Sequence, residues 1–265
     1  MSALPRRRVS ARPGRAPSGA TVVLALLGCL GAPAGAAPAR SARDILDHVD
    51  DLFRGRSSHG RAAMTVTTAH WTRTLALEFW TEGKEKSLIR ILAPQKEKDT
   101  ATLKVGNDLW NFLPKVKRTI KLPSSMLSAS WMGSHFTNDD LVKDSRMAED
   151  YDFEITFEGE RDGRGVIEVT CHPKPEAAVE WGKVVVLVRA ADLLPLAVTY
   201  HDEDMRLART MTYADVRRLG GRDLPTVMTV VPADAPAEST RVVWEAIEFD
   251  LALAGDTFSL RALER

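Results

Sequence analysis

The stretch Arg73-Thr-Leu-Ala-Leu-Glu-Phe-Trp-Thr-Glu-Gly-Lys-Glu-Lys-Ser-Leu-Ile-Arg-Ile-Leu92 decides the fold class. Apolar residues recur at every second position on both sides of Glu82-Gly83-Lys84. That is the period of a strand rather than of a helix, and the Gly-containing break is a hairpin turn. The same grammar extends both ways. Strands are predicted at Ala63–Thr68, Arg73–Glu82, Lys84–Leu92, Thr100–Gly106, Asp108–Leu113 and Arg118–Leu122. A second series follows at Tyr151–Phe157, Gly165–His172, Lys183–Arg189, Pro195–His201, Leu207–Val216, Pro225–Val231 and Thr240–Phe249. Short turn signals such as Gly106-Asn107-Asp108, Asp162-Gly163 and Leu219-Gly220-Gly221 join them. Thirteen short strands in sequence imply a single antiparallel sheet that twists and curls into an unclosed, half β-barrel.

Two segments depart from the two-residue period. Ser41–Phe53 places Ile45, Leu46, Val49, Leu52 and Phe53 at helical spacing, with Ser41 or Asp44 available as a cap and Gly55 as a stop. Between the two strand series, Ser124–Asp144 has no alternation, and its apolar residues fit short helical turns. A sheet this long has one apolar face too many if left bare. The expected remedy is for the early helix and the insertion to lie over the concave face as a lid.

The first 39 residues read differently. Arg6, Arg7, Arg8, Arg12 and Arg15 stand without an acid, an apolar run follows from Ala20 to Leu30, and small residues extend from Gly31 to Ala39. This is the layout of a secretory signal, cut after Ala37 or Ala39. Its apolar core is well short of the roughly 20 residues that span a bilayer. Leu26-Leu27-Gly28-Cys29 offers the alternative of lipidation at Cys29. The predicted organisation is a signal at 1–39 and one domain at 40–265, exported to the periplasm. The whole chain balances 36 Lys and Arg against 36 Asp and Glu. Without the five signal arginines, 31 basic residues face 36 acidic ones, a net charge of about −5. That balance excludes an ordinary nucleic-acid binder. Cys171 alternates within an apolar strand and is expected to be a small buried hydrophobe.

No nucleophile elbow, zinc-protease helix, phosphate loop or dinucleotide fingerprint occurs, so no catalytic residue, metal ligand or cofactor is assigned and the chain is read as a non-enzyme. His201-Asp202-Glu203-Asp204 offers cation ligands but sits where a polar hairpin tip belongs. Ser134-His135 near Asp139-Asp140 contains nucleophile and base types, yet adjacent residues seldom face each other, and Asn138–Asp140 suits a helix start. The basic group Lys115, Lys117, Arg118 and Lys121 follows Trp110-Asn111-Phe112-Leu113-Pro114; Lys115, Lys117 and Arg118 are the expected contacts for a lipid headgroup or an acidic partner. The apolar surplus is the stronger signal. Leu77, Phe79, Trp80, Trp110 and Phe112 on strands, with Met126, Trp131, Met132 and Phe136 in the insertion, exceed what one buried face needs. Met and Trp adapt to irregular apolar partners, so these nine are expected to line a cavity.

The run from Asn107 to Arg118, leading through Ser124-Ser125-Met126 to Met132-Gly133-Ser134-His135-Phe136-Thr137-Asn138-Asp139-Asp140-Leu141, resembles the core of the LolA-like superfamily of outer-membrane lipoprotein-sorting proteins, and more closely its uncharacterised periplasmic branch. The resemblance implies an unclosed β-barrel with a helical lid over a hydrophobic cavity. It also implies a carrier for lipid or lipoprotein acyl chains, with an inner-membrane transporter or outer-membrane acceptor as further partners. Carriers of this kind have a gating Arg on an early strand; Arg73 and Arg90 hold suitable positions. The alternative is an envelope module that carries nothing and docks on a transporter or another envelope protein.

Overall fold

A computed structural model describes residues 40–143, 147–177 and 179–265; the expected signal, with Cys29, lies outside the described residues. Arg40–Arg265 forms one compact unit. The strands are β1 (Ser57–Thr67), β2 (Thr72–Glu82), β3 (Lys86–Ala93), β4 (Ala101–Val105), β5 (Asp108–Leu113), β6 (Arg118–Lys121), β7 (Tyr151–Arg161), β8 (Arg164–Pro173), β9 (Lys183–Arg189), β10 (Pro195–His201), β11 (Leu207–Leu219), β12 (Arg222–Pro232) and β13 (Ser239–Phe249). All thirteen belong to one antiparallel sheet that does not close into a barrel. Its order is β6-β5-β4-β3-β2-β1-β13-β12-β11-β10-β9-β8-β7.

That order explains the lid. Two meanders run outward from a seam where β1 pairs β13, so the free edges are β6 and β7. These edges are consecutive in the chain but lie at opposite limits of the sheet. The connection between them must therefore travel from one edge to the other. Its described residues lie over the inner face, as 3-10 turns at Ser124–Met126 and Trp131–Gly133 and the helices α2 (Asn138–Lys143) and α3 (Met147–Asp150).

The N-terminal helix α1 (Ala42–Asp51) joins this cover. Ser41 and Asp44 form a reciprocal capping box at its start. Ile45 and Leu46 are buried against Val169, Val184, Val186 and Val230 of the sheet. Lys84, in the β2–β3 turn, holds its far end through Asp47 (3.1 Å) and Asp50 (3.6 Å). Burial disfavours the Lys84 ammonium, but the two carboxylates outweigh it and its pKa is raised.

Strand β1 starts six residues earlier than the predicted Ala63. Ser57, Ser58, His59 and Gly60 carry no apolar alternation, yet they are held between β2 and β13: Ser58 lies opposite both Thr81 and Phe249. Gly60 is required there, because a Cβ would collide with the Ala246 carbonyl oxygen and approach the Phe79 ring at 2.6 Å. Pairing on both sides overrides weak local propensity.

A second cover, absent from the sequence reading, lies on the opposite face. The C-terminal segment ends in the short helix α4 (Leu260–Leu263), capped by Ser259. Leu263 is fully buried among Leu88, Ala101, Leu103 and Phe112, with Phe258, Trp80 and Trp110 around them. Arg90 fixes the segment by donating to the Ala262 carbonyl at 2.7 Å. The sheet is thus covered on its inner face by α1 and the insertion, and on the outer face of β3–β5 by the chain's own end.

Candidate functional site: the cavity under the lid

A cavity of about 320 Å³ remains between the inner face and its cover. That is the low end of the roughly 300–1,000 Å³ usual for small-molecule sites. Its floor comes from alternate residues of neighbouring strands. Ala62 lies opposite Leu77 and Trp244, Met64 opposite Val242, and Phe79 opposite Ile89. On the other half Met228, Met211, Tyr213, Val198 and Tyr200 continue the surface. Leu46, Val49 and Phe53 of the N-terminal segment, with Trp131, Phe136 and Leu141 of the insertion, form the roof. Phe53 stacks on Trp244 at 4.4 Å between ring centroids, which joins roof to floor at one end. The lining also includes the charged side chains of Asp50, Arg54, Asp139, Asp150 and Glu180, of which Arg54 and Asp139 are buried. The site is a mainly apolar chamber whose lining also includes charged groups.

The nine residues expected at a cavity are not all brought together. Leu77, Phe79, Trp131 and Phe136 line the chamber. Trp80 touches it, but its ring stacks on His59 at 5.0 Å and packs with the outer-face cluster. Trp110 and Phe112 belong to that outer cluster, beneath Leu263. Met132 packs beside the inner cluster, and Met126 is 49% exposed. The division follows from the pairing: Leu103 stands opposite both Leu88 and Trp110, and Leu88 opposite Trp80, so these share the face that the C-terminal segment covers.

Four polar anchors hold the insertion down. The strongest is Arg209 on β11, in phase with Met211 and Tyr213 on the inner face. Its guanidinium grips Asp140 through two bonds of 2.7 and 2.6 Å and donates to the His135 carbonyl at 3.2 Å. The rings of Trp181 and Tyr200 lie 4.6 and 4.3 Å from it, a cation–π enclosure. Arg209 is 5% exposed. Burial alone would lower its pKa, but the bonds and attraction of Asp140 prevail and raise it. Trp131 Nε1 donates to Thr102 Oγ1 on β4 at 3.1 Å. Arg73 of β2 donates to the Met132 carbonyl. His135 bonds through its backbone N–H and its ring to Thr240 Oγ1 (2.9 and 2.8 Å), and through Nε2 to Glu238 (3.2 Å).

Of the two arginines expected near the lid, Arg73 touches it, whereas Arg90 reaches the C-terminal segment instead. Arg209 escaped the sequence reading. The available signal was its phase: an Arg sharing a face with Met and Tyr on a strand must be paired if that face is buried.

The other constellations are occupied in ordinary ways. Ser134 Oγ donates to the Trp131 carbonyl at 2.7 Å while the His135 ring faces Thr240 and Glu238, so the two do not engage each other. His201–Asp204 forms the β10–β11 hairpin, where Asp204 pairs with Arg206. Cys171 is fully buried, and burial pushes its thiol pKa up to about 12, which keeps it unreactive. Lys115, Lys117 and Arg118 lie exposed in the β5–β6 hairpin, away from the cavity lining. Among the described residues no helix is long and apolar enough to cross a membrane.

Solved structures share this architecture. A DUF1329 family protein from Desulfovibrio piger superposes with a TM-score of 0.75 at 23% identity, covering 83% of this chain and 96% of that one. A LolA superfamily protein from Nitrosomonas europaea gives 0.72 at 21% identity, covering 84% and 100%. The domain of a putative outer membrane lipoprotein-sorting protein from Vibrio parahaemolyticus gives 0.70 at 21%, covering 84% and 97%. At these identities the likeness establishes the fold. No curated protein matches the chain in sequence. A family model whose description reads "Uncharacterized protein" matches residues 83–265, more than half of the chain, and the chain belongs to that family.

Proposed function

We propose that the chain is a non-enzymatic periplasmic carrier. It would shield acyl chains of a lipid or lipoprotein in the cavity and serve lipid or lipoprotein sorting toward the outer membrane. The observation that carries the reading is the apolar chamber of about 320 Å³ roofed by a segment held at a few polar points. Each buried methylene is worth about 0.8 kcal/mol, so ten supply about 8 kcal/mol before ordering losses. No catalytic group is needed for binding of that kind. Release requires the roof to move, and the Arg209–Asp140 pair is the contact whose loss frees α2 from the second meander. The basic start of the precursor supports export, and the fold likeness to lipoprotein-sorting structures supports the cargo class.

The test is uptake of a fluorescent fatty acid, together with native mass spectrometry of protein taken from the periplasm. Co-purified lipid and saturable uptake are expected. Leu77→Asp and Phe136→Asp should abolish uptake, while Trp110→Asp, on the outer face, should leave binding intact in whatever fraction folds. Wild-type protein that carries no lipid and takes up no probe would sink the carrier reading.

A further inference from the structure

The β5–β6 hairpin differs in charge from everything around it. Residues 109–138 contain Lys115, Lys117, Arg118 and Lys121 and no acid. The rest of the chain from Arg40 onward has 27 basic residues against 36 acidic ones. All four cations are exposed. Lys121 pairs with Asp108 at 2.7 Å, whereas Lys115, Lys117 and Arg118 form no ion pair among the described residues.

Charge on an edge strand is an ordinary guard against aggregation. It does not account for the apolar side chains set among the charges. Leu113 is 38% exposed, Val116 59% and Ile120 43%. The tip that presents them is shaped: Pro114 opens a 3-10 turn, and Lys117, in the left-handed region, closes it with its N–H on the Pro114 carbonyl at 3.2 Å. Leu113 stands opposite Arg118 and Asn111 opposite Ile120, so Leu113, Arg118 and Ile120 project from one face, with Val116 at the end.

Apolar side chains at a projecting tip, flanked by unpaired cations, match an anionic bilayer: the former enter the headgroup–acyl boundary while the latter meet phosphates. We infer that this hairpin is a membrane-docking element for anionic phospholipid surfaces. Its base is continuous with the roof, since Leu109 and Leu122 pack on Val142 of α2. Docking would therefore place the cavity cover beside the membrane. The inference does not depend on the cavity's cargo.

The experiment is flotation of the protein with vesicles of phosphatidylglycerol and phosphatidylethanolamine, compared with phosphatidylcholine alone. Enrichment on the anionic vesicles that declines with salt is expected. Replacing Lys115, Lys117 and Arg118 together by Ala should weaken partitioning about a hundredfold. Val116→Asp should weaken it about tenfold or more, and hydrogen exchange of the wild type should slow across 113–120 on vesicles. Fatty-acid uptake in vesicle-free solution should be unchanged in these variants, which separates failure here from failure of the carrier reading. Equal flotation on neutral and anionic vesicles overturns the inference. So does Val116→Asp binding like wild type while heparin competes fully, which would identify a plain anion or acidic-protein site.

Discussion

The two faces of this sheet both carry large apolar side chains, and both are covered, but by different physical means. On the outer face of β3–β5 the C-terminal segment is held mostly by close apolar contact: Leu263 is fully buried, with one bond from Arg90 to the Ala262 carbonyl and one from Thr119 to Glu264. On the inner face the insertion leaves a chamber unfilled and is fixed by discrete polar anchors at Arg209, Trp131, Arg73 and His135. Close packing loses free energy with every contact broken. A cover held by a few directional bonds over a void can change partners at those points and stay otherwise intact. The outer cover thus depends chiefly on packing, and the inner one combines buried apolar side chains such as Trp131 and Val142 with directional bonds beside a void.

The largest test of that contrast is Asp140→Ala. Removing one partner of a buried ion pair leaves Arg209 charged between Trp181 and Tyr200 and costs about 4 kcal/mol. Urea unfolding should register the loss, and hydrogen exchange should accelerate in 124–143 before the sheet is affected. Joint replacement of Arg209 by Met and Asp140 by Leu should recover most of the stability while altering access to the cavity. If the insertion stays protected in Asp140→Ala, the pair is not the principal anchor.

A smaller effect is expected at the outer cover. Leu263→Ala deletes a fully buried side chain, for about 3 kcal/mol. Its signature should be the reverse of Asp140→Ala: lowered global stability and changed fluorescence of Trp80 and Trp110, with uptake of an apolar probe unaffected. An uptake defect would show that the two covers are coupled.

Much of this architecture is legible in the sequence because a strand's two-residue period is strong and local. Thirteen strands, the early helix and the break at Ser124 follow from it, and so does the unclosed sheet. Topology supplies what periodicity lacks. That β1 pairs β13, and that the sheet's edges are therefore β6 and β7, is a non-local fact, and it sends the insertion across the inner face. The assignment of Trp110 and Phe112 to a cavity miscarries for a related reason. Alternation says that they differ in phase from Leu109, but not which face the chain's end will cover. Residues 250–265 have no period to read, and Ala262 and Leu263 acquire meaning only from the strands beneath. Arg209 reads as a surface charge until its neighbours Met211 and Tyr213 are known to face inward.

The smallest expected effect concerns pH and the His135 anchor. Glu238 accepts a hydrogen bond from the Ala69 backbone N–H at 2.9 Å and another from the His135 ring, and both hold its pKa below the ordinary carboxylate range. A group whose pKa is lower folded than unfolded stabilises the fold above its unfolded value, about 4.3 for Glu. That contribution is lost as the pH falls through the depressed folded value. Acid should therefore loosen this end of the insertion, and Glu238→Gln should flatten the pH dependence below about pH 5, with its small loss of stability showing near neutrality and vanishing in acid. The outer cover is tied by other groups, Arg90 on the Ala262 carbonyl and Thr119 on the Glu264 carboxylate, so exchange of the backbone amides in α4 should be insensitive to the Glu238 substitution. Equal acid sensitivity of the two covers in wild type and Glu238→Gln would place the titrating group elsewhere and remove this distinction between them.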